Sequence, residues 1–171
     1  MTRALEVLNE LCKDGVIRNY AIGGAMGALF YTEAILTMDL DVFVFFDDDD
    51  DAFTLTPLAP IYKVLKEKGY GPDLHERECI DIEGTPVQFL PAYNPLLKEA
   101  VNDAVSIDYN GVATRVLTAE HLAAISVQTG RMKDKLRVQA FLNTPAFNFS
   151  RFETLLIKYD LLNTFKTWGI V

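Results

Sequence analysis

Only two cysteines, Cys12 and Cys79, occur among the 171 residues. They share no CxxC spacing, which removes both a disulfide framework and a cysteine-based zinc site and fits a reducing compartment. No stretch approaches the roughly 20 consecutive apolar residues of a membrane span, and no N-terminal apolar run precedes a small-residue cleavage site. A soluble cytoplasmic protein with no membrane partner is therefore expected. Histidine is as scarce as cysteine: His75 and His121 are isolated, with no second imidazole at ligand spacing, so surface or cap roles are expected of them. Positive charge is also in deficit. A net charge of −8 repels nucleic acid over most of the surface, and a polynucleotide partner would need a local basic patch. A small phosphorylated substrate that carries its own magnesium meets less of that repulsion.

What is present is enough for one α/β core with a helical extension sharing its hydrophobic centre. Leu5, Leu8, Leu11 and Cys12 recur on one face of a first helix from Thr2 to about Lys13. Residues 16–22 (VIRNYAI) read as a strand running into Gly23–Gly24, and AMGALFYTEA after them is helical in composition. MDLDVFVFF, residues 38–46, alternates acidic and apolar residues and then becomes wholly apolar, as a strand buried on both faces does. A helix over 57–68 follows, then strands over 74–82 and 85–90 joined at Glu83–Gly84, and a helix from about Pro95 to Ala104. Asn110–Gly111, between SIDY and VATRVL, is the clearest hairpin signal, because both residues tolerate positive φ. Thr118 and Gly130 bound a helix, RMKDKLRVQAFL forms another, and Ser150-x-x-Glu153 reads as a capping box that opens a third. The run Asp47–Asp51 reads as a solvated loop, since its carboxylates lack the spacing of a calcium site.

Two features carry chemistry. Asp39 and Asp41 alternate on one strand face with Cα atoms roughly 6.5–7 Å apart, so both carboxylates can converge on metal ions spaced about 3.5–4 Å. Gly23–Gly24 at a strand-to-helix junction lets backbone N–H groups approach phosphate oxygens. A valine at Gly24 is accordingly expected to weaken triphosphate binding while the fold is kept. Thr37 shares the face of the two aspartates and is a candidate contact to phosphate or to Asp39. In RMKDKLRVQAFL, Lys133 and Arg137 lie four apart on one face, candidates for a triphosphate, with Arg131 and Lys135 beside them and Asp134 an offsetting surface charge. Trp168, Phe165 and Tyr159 read as packing residues.

The run YAIGGAMGALFYTEAILTMDLDVFV resembles the GG-turn, helix and D-x-D strand signature of the DNA polymerase β-like nucleotidyltransferase superfamily. VQFLPAYNPL, EHLAAISVQTGRMKDKLRV and the final helix are similar to a branch near the AbiEii-type nucleotidyltransferases, which occur as toxins of toxin–antitoxin pairs. The resemblance implies an α/β (α+β) fold: a mixed sheet flanked by helices in residues 1–117, with the metal site opposite the helices, and a C-terminal helical extension in residues 118–171 that closes over the nucleotide. It implies a nucleoside triphosphate held by the Gly23–Gly24 turn, Mg2+ (or Mn2+ in its place) on Asp39 and Asp41, and a phosphate-directed lysine at Lys133. The acceptor is then a hydroxyl on RNA, protein or a small molecule, and an antitoxin-like protein is the implied partner. Two positions depart from the pattern. Ile35 stands where a basic residue is common, and Gln88 occupies the catalytic position where a third aspartate is expected. Asp81, diagonal to Gln88 across the hairpin, is a candidate substitute. Three readings stay open: a transferase, a nucleotide-binding module that has lost catalysis, and an interaction protein.

Overall fold

The computed structural model describes residues 1–32, 37, 39–45 and 57–170. The expectations for Ile35 and for Asp47–Asp51 lie outside the described residues.

Helix α1 (Thr2–Lys13) buries Ala4, Leu5, Val7, Leu8 and Leu11, the stripe its periodicity predicts. The chain then enters β1 (Asn19–Ile22), shorter than the predicted 16–22, and a one-and-a-half-turn helix α2 (Gly24–Ala28). Strand β2 (Leu40–Phe45) is followed by α3 (Ala59–Glu67), a two-residue strand β3 (Gly71–Pro72), and the hairpin of β4 (Ile80–Ile82) and β5 (Thr85–Pro91). Helix α4 (Pro95–Asn102) precedes a second hairpin, β6 (Val105–Tyr109) and β7 (Val112–Val116). The remainder is helical: α5 (Ala119–Thr129), α6 (Met132–Leu142), α7 (Phe149–Lys158) and α8 (Leu162–Lys166).

The strands form one sheet in the order β3-β4-β5-β2-β1-β7-β6. It is mixed, with β2 parallel to β5 and β1 parallel to β7, and the other neighbours antiparallel. Alternation along β2 divides the core. Leu40, Val42 and Val44 join the cluster beneath α1 and α3, whereas Phe43 and Phe45 join one built with α4 to α8. The sheet is thus covered on both faces. Asp41 has the parity of Phe43 and Phe45, so the predicted aspartates project toward the side of α4 and the C-terminal helices rather than a face free of helix. That second cluster runs without a break from Ala21 and Phe43 to Phe152 and Phe165. Phe152 and Phe165 meet edge to face at 5.2 Å, and Phe165 and Trp168 at 6.3 Å, the packing role expected of Phe165 and Trp168.

Three local expectations need correction. Residues 73–79 are not strand: the Asp73 side chain accepts from the N–H groups of His75 and Glu76, both at 2.7 Å, a local bond that competes with sheet pairing. Helix α7 opens at Asn148, which accepts from Arg151 N at 3.0 Å, so Ser150 lies inside the helix rather than capping it. His121 is fully buried rather than on the surface, and of the two roles expected of it the cap role is the one present, since its N–H donates to the Thr118 hydroxyl that caps α5. No described helix is long and apolar enough to cross a membrane.

Candidate functional site

The antiparallel pairing of β1 with β2 sets Ile22 opposite Val42, so the next residue, Gly23, reaches Asp41 and donates its N–H to the Asp41 carbonyl at 2.9 Å. Gly24 has φ +58, a conformation that side chains resist, and a Cβ built there would stand 1.6 Å from Asp41 Oδ2. At Gly23 a Cβ would meet the Phe43 ring at 2.4 Å. Both glycines are therefore required by the approach of the turn to β2. This corrects the expectation for Gly24: the space its missing side chain leaves is taken by the Asp41 carboxylate, and valine there disturbs the fold as well as any ligand.

Parallel pairing of β2 with β5 sets Asp41 directly beside Gln88. Asp39, one residue before β2, accepts a hydrogen bond from the Thr37 hydroxyl at 2.7 Å, so of the two contacts considered for Thr37 the one to Asp39 is present. Asp39, Asp41, Gln88, Thr37, Gly24, Lys133 and Arg137 all line one cavity of about 740 Å³, within the roughly 300–1,000 Å³ range of small-molecule sites. Seven of the eight residues singled out in the sequence thus meet there, and Gly23 adjoins the cavity through Gly24. Burial, followed by the charge of Asp39, raises the Asp41 carboxyl from 3.8 to about 6, against the opposing pull of Arg137, Lys133 and Arg131. Two like charges on one wall with cations facing them are chemistry that a bound cation would complete.

The basic helix α6 is not a wholly solvated face. Asp134 is fully buried, not a surface charge, and is clamped by Arg131 at 2.7 Å and Arg137 at 3.2 Å. Arg137 itself is buried, and its Nε has no hydrogen-bond partner among the described residues. An orphaned guanidinium N–H beside a cavity is costly unless an acceptor arrives, and a phosphate oxygen is a fitting one. Desolvation holds the Arg137 pKa below its ordinary value, which an anion would reverse.

Asp81 does not supply the missing third carboxylate. Its Oδ1 accepts from Gly84 N at 2.7 Å, fastening the β4–β5 turn, and it does not line the cavity. The acid that reaches Gln88 is one that sequence reasoning missed. Gln88 Nε2 donates to Glu78 Oε2 at 3.2 Å, from a residue held at φ +64, and Glu76 lines the cavity nearby. The strand pattern expected over 74–82 hides Glu76 and Glu78 as site residues. Tyr93, exposed at the cavity rim, had no signal in the sequence.

Comparison with known proteins gives a likeness of fold and no sequence family. No family model matches the chain, and no curated protein matches it. Among solved structures, an antigenic nucleotidyltransferase-like protein from Paracoccidioides brasiliensis aligns over 95% of this chain and 90% of its own, with a TM-score of 0.55 and 15% identity. The fold is nucleotidyltransferase-like. A crystal structure of ANT(2″)-Ia in complex with adenylyl-2″-tobramycin aligns over 94% of this chain and 90% of its own, with a TM-score of 0.45 and 10% identity.

Proposed function

We propose that this cavity binds a nucleoside triphosphate with magnesium and transfers its nucleoside monophosphate to an acceptor hydroxyl, releasing pyrophosphate. The observation that carries the reading is the meeting in one cavity of Asp39 and Asp41 with Lys133 and Arg137. Magnesium, or manganese in its place, would be held by Asp39 and Asp41 and would neutralise phosphate charge and activate the attacking hydroxyl. Thr37 fixes the rotamer of Asp39 through their hydrogen bond. Asp41, part-protonated below about pH 6 without a cation, gives up its proton as one binds. Lys133 and Arg137, from the helical residues 118–171 proposed to close over the nucleotide, meet the triphosphate. Asp134 keeps the Arg137 guanidinium aimed at it. The likeness of VQFLPAYNPL and EHLAAISVQTGRMKDKLRV to AbiEii-type enzymes supports a toxin role with an antitoxin-like protein partner, and RNA, protein or a small molecule as acceptor.

A second reading, nucleotide binding without transfer, is favoured by Gln88, whose amide spends a donor on Glu78 where a ligand carboxylate is expected. Incorporation of label from α-labelled triphosphates separates the two. The transferase reading expects magnesium-dependent labelling by the wild type that falls at least ~100-fold in Asp39→Asn, the scale of losing one transition-state interaction. Labelling that appears only in Gln88→Asp would assign the natural protein to the binding reading, and labelling retained in Asp39→Asn would refute the site.

A further inference from the structure

A second set of donor atoms lies away from the cavity, where α4 meets α5 and α7. Glu99 in α4, Asp103 just after its last turn and His121 in the first turn of α5 each bring one ligand atom within 4.8 Å of the other two. None of the three lines the cavity. Glu99 and Asp103 are four residues apart, so they rise from one helix face. His121 is fully buried, and its Nε2 has no hydrogen-bond partner among the described residues. That nitrogen points to Glu99 Oε1 at 3.7 Å, beyond hydrogen-bond length. Its Nδ1 is 2.9 Å from the Thr118 hydroxyl.

We propose that Glu99, Asp103 and His121 form a zinc(II) site that ties α4 to α5, separate from the nucleotide cavity. An imidazole with two carboxylates suits zinc rather than magnesium or calcium, which take all-oxygen shells, and three protein ligands leave a fourth position for water. A tetrahedral ion with ligands at about 2.0–2.1 Å spaces them about 3.4 Å apart. The 3.7 Å between Nε2 and Oε1 needs only a small side-chain rotation to match. The surroundings have the form of an outer shell. Lys158 and the Tyr159 hydroxyl both grip Glu99 Oε2, and Arg151 donates to Asp103 Oδ2 at 3.1 Å. Each carboxylate is oriented through one oxygen and keeps the other. With zinc bound, Nδ1–H would be donated to the Thr118 hydroxyl 2.9 Å away, and Nε2 would present its lone pair to the ion. Lys158 and Arg151 balance the carboxylates in the metal-free protein, and the imidazole nitrogen is the group they leave unsatisfied.

The test is a thermal melt of chelator-treated protein with and without zinc(II), on wild type, Glu99→Gln, Asp103→Asn and Asp41→Asn, with cobalt(II) absorption as a second readout. Both carboxylate positions reach solvent, so the amide variants keep the fold. Wild type is expected to gain melting temperature with zinc and to give cobalt ligand-field bands. Glu99→Gln and Asp103→Asn should bind at least ~10-fold more weakly. Asp41→Asn removes any zinc held at the Asp39–Asp41 wall and should keep the cobalt ligand-field bands of the imidazole site, which keeps this outcome distinguishable from the nucleotide reading. No zinc response in wild type, a response kept in both amide variants, or cobalt bands lost in Asp41→Asn would each overturn the site.

Discussion

Asp41→Asn is expected to make the magnesium-free protein more stable at neutral pH while abolishing its response to magnesium and triphosphate. The sign follows from the direction of the shift. Folding raises the Asp41 carboxyl from 3.8 to about 6, so the native state holds the proton more tightly than the unfolded chain. Its contribution to stability is greatest below the unfolded value and is lost as pH climbs through the folded one. At about 1.4 kcal/mol per unit, discounted for partial exposure, the loss is roughly 1–3 kcal/mol. Asparagine mimics the protonated form and escapes it. Denaturant unfolding of both proteins from pH 4 to 7 in chelator should show wild type losing stability relative to the variant across that interval. Parallel profiles would mean that Asp41 is not under electrostatic strain.

Gly24→Ala should cost more than any ordinary glycine substitution in this chain. The new methyl falls 1.6 Å from Asp41 Oδ2 and 2.5 Å from its Cγ, on a backbone at φ +58. The left-handed conformation alone costs an alanine about 1–2 kcal/mol. Gly111→Ala is the control, since Gly111 also has positive φ, at +83, but nothing lies within 4 Å of its built Cβ. The excess loss in Gly24→Ala over Gly111→Ala isolates the collision with Asp41. It should exceed ~1 kcal/mol and shrink in an Asp41→Ala background, where Cγ and Oδ2 are gone. Equal losses at the two glycines would show that the turn has room to retreat.

The strand that carries the aspartates was legible because its alternation gives way to an apolar run, which only a strand covered on both faces tolerates. Asn110–Gly111 and the Thr118 to Gly130 helix were legible for local reasons: positive φ is present at Asn110, Gly111 and Gly130, and the Thr118 side chain accepts from His121 N. The failures were tertiary or arose from side chains competing with the backbone. Asp73 folds residues 73–76 around its own carboxylate, which hid Glu76 and Glu78 inside an apparent strand. Asn148 and Ser150 are both good caps in isolation. Asn148 is the one placed where its backbone N–H reaches the buried Glu120 at 3.0 Å. The burial of Asp134 and His121 depends on how α5 packs with α6 and α7, which periodicity along one helix does not encode. The glycine turn was found but its physical reason was incomplete, because the neighbour that excludes a side chain comes from another strand.

In the proposed function one cavity holds a triphosphate between Asp39 and Asp41 on one wall and Lys133 and Arg137 on the other. Calorimetric titration of the four ribonucleoside triphosphates with magnesium into wild type and Lys133→Met tests it most directly, since Lys133 is exposed and its loss leaves the core intact. The account predicts saturable, magnesium-dependent binding of at least one triphosphate by wild type, weakened about 10-fold or more in Lys133→Met, as loss of a charge-assisted phosphate contact of ~1.5–3 kcal/mol requires. Absence of binding to all four by a folded wild type, or equal affinity in the two proteins, would contradict it.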